Sequence, residues 1–148
     1  MNTQTLEHMK QLRLYGMYRA FEGSLLPQNT NLYTNDELIA YLLQSEWDDR
    51  QNRKIERLTK AAHFRYSAVM EAIDYDASRS LDKNQIQRFS SCNFIAQKQN
   101  ILITGSTGAG KSYMASAIGH QACSLGYKVM YFNTNKLFTM LKTSKADG

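Results

Sequence analysis

The amino-acid sequence predicts an α/β protein, with a helical N-terminal domain followed by the first half of a parallel α/β domain. Two patterns lead to this fold class. Up to about residue 73, apolar residues recur at helical spacing. After residue 99, short apolar runs alternate with a glycine-rich turn and helical segments, which is typical of an opening parallel sheet. The polar stretch of residues 74–80 separates the two patterns, so we expect domains at residues 1–73 and 74–148.

The first domain is predicted to contain several helices. Apolar residues recur at roughly helical spacing before Pro27 and the polar stretch Gln28–Asn31, namely at Leu6, Met9, Leu12, Met17 and Phe21. Thr34 and Glu37 form a capping box, in which each side chain accepts from the other residue's backbone N–H. Because no glycine or proline follows until past His63, one long helix is expected there. Shorter helices are predicted over residues 67–73 and 81–91.

The second domain is predicted to alternate strands and helices. Asn100–Thr104 has the pattern of a short buried strand, and Lys128–Phe132 that of a second one. Between them, Lys111–Leu125 is predicted to be a helix that ends at Gly126, the usual stop position. Another helix is expected from Asn135 to Thr143. This order is that of a parallel sheet with crossover helices.

Composition excludes several classes of protein. Of 148 residues, 43% are hydrophobic and 21% charged, which allows a buried core and shows no bias toward disorder. No apolar run approaches the roughly 20 residues that a membrane span requires, and no secretory signal precedes the first helix. Cys92 and Cys123 form neither a disulfide framework nor a metal-ligand cluster. We therefore expect a reduced, cytoplasmic setting.

The net charge of +5 is concentrated in one predicted helix. Six cations stand against the single acid Glu56 between residues 50 and 65; they are Arg50, Arg53, Lys54, Arg57, Lys60 and Arg65. We call these six residues the basic stripe. Such a local excess of positive charge favours an acidic partner, first of all nucleic acid. The alternative is a helix face that is only solvated.

A complete phosphate-binding motif follows the first predicted strand. Its residues, with the tyrosine after them, are Gly105, Ser106, Thr107, Gly108, Ala109, Gly110, Lys111, Ser112 and Tyr113. In GxxxxGK[ST], glycines let successive backbone N–H groups turn inward around phosphate oxygens. The lysine reaches the β and γ phosphates, and the hydroxyl at Ser112 ligates Mg²⁺. A nucleoside triphosphate with Mg²⁺ is therefore the expected ligand; the alternative is a glycine-rich turn that binds nothing.

Several stretches resemble the IstB-type ATPases, the helper proteins of bacterial insertion-sequence transposases. They are Leu12–Met17, Gln51–Lys54, Lys60–Ala62, Ser80–Asp82 and Asn93–Ile95, together with the phosphate-binding motif. The family is related to the DnaC helicase loader and to the AAA+ class. The resemblance implies that the second domain is the first half of a P-loop AAA+ domain. Ser106, where the family usually has proline, and Ser112, where threonine is commoner, are departures compatible with nucleotide binding.

The resemblance also implies function. Family members assemble into homo-oligomers on DNA with ATP and recruit or stimulate a transposase, without a membrane. They continue past the position of Gly148 into segments that carry the acidic, sensor and arginine-finger residues of hydrolysis. We therefore expect a truncated family member and leave its ATPase activity open. Two other functions stay open: a DnaC-like loader that grips a helicase, and a non-catalytic module that only binds partners.

Overall fold

The computed structural model describes residues 2–26, 33–75 and 81–146. These ranges contain seven α-helices and one 3-10 turn: α1 (Asn2–Gln11), α2 (Tyr15–Ser24), α3 (Asn35–Ala62), the 3-10 turn (Met70–Ala72), α4 (Lys83–Phe89), α5 (Asn93–Ala96), α6 (Lys111–Ser124) and α7 (Thr134–Ala146). Pro27, Gln28–Asn31 and residues 76–80 of the predicted domain junction lie outside them. By its contacts the chain forms two compact units, Met1–Lys54 and Ile55–Gly148. The domain boundary at residues 73 and 74 stays a prediction.

In the first unit, the helical pattern is divided between two helices. The chain turns between α1 and α2 at Arg13, whose φ is +58°. The predicted capping box at the start of α3 is confirmed. Glu37 accepts from the Thr34 N–H at 2.7 Å, and the Glu37 N–H donates to Thr34 Oγ1 at 3.4 Å. The bond from the Thr34 N–H, and a second one from the Thr34 hydroxyl at 2.9 Å, hold the pKa of the Glu37 carboxyl below its ordinary value.

The first turn of helix α2 lies directly against α3, at Gly16. A Cβ atom added to Gly16 would lie 2.4 Å from the Ser45 carbonyl oxygen and 2.8 Å from Glu46 Cα, so only glycine allows this approach. The Glu46 carboxylate, only 6% exposed, accepts from the Gly16 N–H at 2.9 Å and the Met17 N–H at 3.2 Å. A carboxylate at a helix N-terminus accepts from amides that lack helical acceptors, and its negative charge is attracted by the positive end of the helix dipole. Glu46 therefore fastens α2 to α3.

The same surface of α3 carries ion pairs. Arg50 Nε donates to Glu46 Oε1 at 2.7 Å, and Arg53 Nε lies 2.7 Å from Asp49 Oδ2 in an ion pair. Asp49 also pairs with Arg19 of α2. The Arg53 guanidinium lies 5.5 Å from the centroid of the Tyr15 ring, within cation–π range. Two members of the basic stripe therefore belong to the packing of this unit.

Acid is expected to weaken this unit through Glu46. Burial raises the pKa of the Glu46 carboxyl, but hydrogen bonds from Arg50, Met17 and Gly16 outweigh it and leave the pKa below its ordinary value. Because the folded-state pKa is the lower one, the stabilisation is complete above about pH 4.3 and is lost as the pH falls from there through the folded-state pKa. Urea unfolding followed by the fluorescence of Trp47, the one tryptophan of the sequence, measures this loss. Glu46→Gln should flatten the acid limb; an unchanged limb would contradict the assignment.

The second unit is built around α6. Its predicted range is confirmed within a residue, and the chain leaves it at Gly126 with φ +88°. Ala117 and Ile118 pack with Ala68, Met70, Ile73 and Ile86 in one buried cluster, and Cys123 packs with Leu58 and Ala62 in another. Burial raises the pKa of both Cys92 and Cys123, so the two thiols stay protonated. The helix predicted over residues 67–73 is reduced to the 3-10 turn.

The α/β fold class is wrong for this structure, because neither predicted strand forms in the described ranges. Residues 101–106 and 127–133 are without regular structure. Ile101 and Ile103 pack against the core, but Leu102 is 89% exposed. In the second segment, Met130 is 71% exposed, and the Tyr131 N–H donates to the Ala62 carbonyl at 2.9 Å, at the end of α3. A parallel P-loop sheet is therefore absent from residues 2–26, 33–75 and 81–146.

The physical reason lies in how strands are stabilised. A strand of a parallel sheet exists only through hydrogen bonds to a neighbouring strand, and both its faces are covered. An apolar run shows that a segment has side chains to bury, but it does not supply the neighbour. Here the Tyr131 amide donates to the carbonyl at the end of α3, so the apolar run 128–132 is bonded to a helix and not to a strand.

Among the described residues, no helix is both long and apolar enough to cross a membrane.

Candidate functional site

The predicted phosphate-binding residues lie on one glycine-rich turn and on the first turn of α6 that follows it. Gly105, Gly108 and Gly110 all have positive φ, at +150°, +83° and +85°. A side chain at Gly108 would meet nothing within 4 Å, so the requirement for glycine there is conformational and not steric. The Ala109 N–H donates to the Ser106 carbonyl at 3.3 Å, which closes the turn. We call Gly105–Gly110 the glycine loop.

Helix α6 begins immediately after the glycine loop. Its first helical hydrogen bond runs from the Met114 N–H to the Gly110 carbonyl at 3.0 Å. The amides of Lys111, Ser112 and Tyr113 precede that bond and have no helical acceptor. Free amides together with the positive end of the helix dipole favour an anion at this position.

Lys111 holds its ammonium group over the loop. Its Nζ donates to the Gly105 carbonyl at 3.0 Å and to the Ser106 carbonyl at 2.7 Å. Two carbonyl oxygens leave one of the three ammonium N–H bonds for another acceptor. The side chain is therefore already directed along the loop, and its positive charge is not neutralised by a carboxylate among the described residues.

A cavity of about 380 Å³ adjoins this turn, within the range of about 300–1,000 Å³ that is usual for small-ligand sites. Its lining includes Gly105, Ser106, Ala109 and Lys111, with Leu81, Ile103 and Met114 forming apolar walls. Polar groups thus lie at one side and apolar groups at the other. That division suits a ligand with a charged part and an uncharged part.

Ser112 and Tyr113 lie on the first turn of α6, and both are half-buried. The Ser112 carbonyl accepts from Ser116 Oγ at 2.8 Å, which continues the helix, and no described residue occupies the Ser112 hydroxyl. The Tyr113 ring packs on the core and lies 6.3 Å from the Tyr66 ring. Tyr113 therefore contributes packing and its backbone amide.

The structure distributes the basic stripe unequally. Arg50 and Arg53 hold Glu46 and Asp49, as described above, whereas Lys54, Arg57 and Lys60 are exposed and have no carboxylate of a described residue within ion-pair distance. The Arg65 guanidinium lies 5.3 Å from the Tyr66 ring centroid. The pairing of Arg50 could have been found in the sequence, because Glu46 stands four residues before it, the spacing of neighbours on a helix.

Comparison with known families decides the affiliation of the chain. The model of the family described as IstB-like ATP binding protein matches residues 7–148. The chain belongs to this family. Every residue of the glycine loop and of the basic stripe lies within the match.

Relatives with the same kind of description extend over nearly the whole chain. A protein of insertion sequence IS1162 from Pseudomonas fluorescens, named as ATP-binding, is 39% identical over 100% of this chain and 64% of its own length. An insertion-sequence ATP-binding protein of Sinorhizobium fredii is 32% identical over 97% of this chain and 59% of its own length. One of IS5376 from Geobacillus stearothermophilus is 28% identical over 96% and 57%. The chain thus spans less than two thirds of the length of these relatives.

The IstB-like resemblance near the N-terminus also has a structural meaning. Tyr15 and Gly16, in the stretch Leu12–Met17, contact the part of α3 that carries Glu46 and Arg53. Two of the stretches that resemble the family therefore meet in the first unit.

Proposed function

We propose that this chain binds ATP with Mg²⁺ at the glycine loop and serves as a DNA-associated helper of an insertion-sequence transposase. The observation that carries the proposal is the glycine loop itself. Three glycines of positive φ, the ammonium of Lys111 and the free amides of α6 surround one turn beside a cavity. The family affiliation and the names of the relatives support ATP as the ligand.

The residues have separate roles in this proposal. The amides of Lys111 and Ser112, with loop amides other than that of Ala109, donate to phosphate oxygens, and Lys111 offsets the charge of the β and γ phosphates. The Ser112 hydroxyl, at the first turn of α6, is a hard oxygen ligand of the kind that Mg²⁺ accepts. When bound, the ion neutralises phosphate charge. Titration calorimetry of the whole chain with ATP, with and without Mg²⁺, tests the assignment. If ATP produces no binding heat and ADP does not compete with ATP for the chain, the assignment is contradicted.

The charge of the second unit supports DNA as a partner. Residues 55–148 carry twelve lysines and arginines against six aspartates and glutamates, whereas residues 1–54 carry six against seven. The positive charge of the chain thus belongs to the unit that carries the glycine loop. Arg57 and Lys60 are exposed there without ion pairs to described residues, so they can approach phosphates without giving up a carboxylate.

Replacing Arg57 and Lys60 together by alanine is expected to weaken binding to duplex DNA of any sequence. The slope of log K against log[salt] should become shallower by about two, since each phosphate contact releases about one counterion. Fluorescence anisotropy over a series of salt concentrations measures both quantities. Arg50→Ala is the matched control on the same helix: it also removes a positive charge, but one that Glu46 already offsets, so the slope should stay close to that of the wild type. Equal slopes for all three proteins would contradict the assignment.

The transposase partnership rests on the names of the relatives, which belong to insertion sequences. Co-purification of this chain with the transposase of the same insertion sequence, in the presence of ATP and DNA, tests it. Retention by a replicative helicase instead of the transposase would favour the loader function.

A further inference from the structure

A second polar cavity lies in the second unit, away from the glycine loop. Its volume is about 450 Å³, and it is formed by α4, α5 and the residues just after each of them. It shares no lining residue with the cavity at the glycine loop. Its polar lining includes Gln85, Arg88, Asn93, Gln97 and Gln99, all exposed.

The side chains of these five residues make no hydrogen bond or ion pair with another described residue. Four of them are amides, each of which offers a carbonyl acceptor and two N–H donors. Such groups match the edges of nucleobases, which also present donors and acceptors side by side; the glutamine–adenine and asparagine–adenine pairs are the standard examples. Arg88 adds a planar donor suited to a phosphate or to guanine.

Two aromatic rings form the apolar wall of this cavity. Phe89 ends α4 and Phe94 lies in α5, and both are half-buried. Their ring centroids are 6.2 Å apart with an interplanar angle of 89°, an edge-to-face arrangement that fixes each ring against the other. An aromatic surface held in this way can stack on any of the bases, because every base has a flat face, as the aromatic side chains of single-strand-binding proteins do.

The electrostatic setting distinguishes nucleic acid from other ligands. From Lys83 to Ala146 the sequence contains no aspartate or glutamate, while it contains eight lysines and arginines. The neighbouring Asp82 caps the start of α4, where its carboxylate accepts from the Asn84 N–H at 2.8 Å and the Gln85 N–H at 3.4 Å. Arg88, in the last turn of α4, has no ion pair to a described residue, so its charge attracts a polyanion. An acidic peptide such as polyglutamate would satisfy that charge and pair its backbone with the amides, but it has no planar ring for the phenylalanine wall.

We propose that this cavity holds an unpaired base of a single-stranded nucleic acid, with Arg88 on the neighbouring phosphate. The proposal deepens the DNA association proposed above and rests on it. Base edge, base face and phosphate each find a matching group: the amides, the phenylalanine wall and the guanidinium. A base-paired nucleotide exposes neither its face nor its pairing edge, so the cavity discriminates single strands from duplexes.

The experiment compares a short labelled single-stranded oligodeoxynucleotide with the duplex of the same sequence by fluorescence anisotropy. Gln97→Ala removes no charge, and we expect it to weaken single-strand binding by about tenfold, the effect of one lost base contact, with duplex binding unchanged. Arg88→Ala should weaken single-strand binding more than Lys142→Ala does. The latter is the matched control, since it removes the same charge from an exposed position on α7 outside the cavity. Thermal unfolding confirms that the variants are folded.

Several results would overturn the proposal. If Gln97→Ala loses the same affinity for single strand and for duplex, the cavity does not bind an unpaired base. If Arg88→Ala and Lys142→Ala lose the same affinity, only diffuse positive charge binds the DNA. Displacement of the oligonucleotide by polyglutamate as efficiently as by unlabelled single strand assigns the cavity to acidic peptides. If the wild type binds duplex with the salt dependence described above but the cavity variants change nothing, only this inference fails. Failure of the wild type to bind either DNA removes the proposed DNA association as well.

Discussion

Replacement of Lys111 by alanine is expected to weaken ATP binding about 10–150-fold, because one charge-assisted hydrogen bond contributes about 1.5–3 kcal/mol. In the structure, Lys111 Nζ already lies over the glycine loop, bonded to the Gly105 and Ser106 carbonyls. Alanine keeps the loop backbone and α6 but removes the only cation among the residues of the motif. Titration calorimetry of wild type and variant with ATP and Mg²⁺ measures the change.

Lys136→Ala is the matched control, since it removes an equal charge from the first turn of α7, outside the glycine loop and its cavity lining. Its ATP affinity should stay within about twofold of the wild type, because Lys136 is exposed and a charge in solvent is largely screened. The Lys111 bonds are exposed, so thermal stability should change little in either variant. Equal ATP affinity in wild type and Lys111→Ala would remove the glycine loop from the proposed function.

Gly16→Ala is expected to destabilise the first unit by about 1–3 kcal/mol or more, because the added methyl group overlaps backbone atoms. Its Cβ would lie 2.4 Å from the Ser45 carbonyl oxygen and 2.8 Å from Asp49 Cβ. Helix α2 would have to move away from α3, which lengthens the bonds from the Gly16 and Met17 amides to Glu46. In a domain of this size, each 1 kcal/mol lowers the melting temperature by roughly 4–8 °C.

Gly23→Ala provides the control on the same helix. A Cβ at Gly23 meets nothing within 4 Å, so alanine brings only its better helix propensity and should stabilise the unit by about 0.5–1 kcal/mol. The two substitutions are chemically identical, but Gly16→Ala is expected to lower the free energy of unfolding and Gly23→Ala to raise it. Trp47 lies beside Glu46 in the first unit, so its fluorescence during urea unfolding follows this unit specifically. Destabilisation by both substitutions, or by neither, would show that the close approach at Gly16 is not what holds α2.

Features that depend on a few consecutive residues could be predicted. The capping box at Thr34 and Glu37, the long helix after it, and the end of α6 at Gly126 each follow from groups within a turn of one another. The position of the glycine loop before α6 follows in the same way, since its glycines are needed for their own backbone angles. The family was also recognisable, from short stretches spread over the chain.

Features that depend on distant partners could not be predicted. The apolar runs 101–103 and 128–132 show that these segments have side chains suited to burial, but a strand also needs a neighbouring strand. The Tyr131 amide bonds instead to the Ala62 carbonyl, far away in sequence. The pairs Glu46–Arg50 and Asp49–Arg53 have the spacing of helix neighbours, but the bond from the Gly16 amide of α2 to Glu46 could not be read from that spacing. The need for glycine at position 16 was likewise invisible, because the atoms that exclude a side chain there belong to α3.

The sequence by itself determined the long helix α3 with its capping box, helix α6, the phosphate-binding motif and the family of this protein, because each is encoded in local geometry or in residue identity. Only the tertiary structure decided which apolar segments lack strand partners, which carboxylates of α3 also hold α2, and which polar side chains line the cavity between α4 and α5. The burial of a side chain and its pairing with a strand or a charge depend on two segments that come together in the fold. The sequence pattern of one segment does not specify the other.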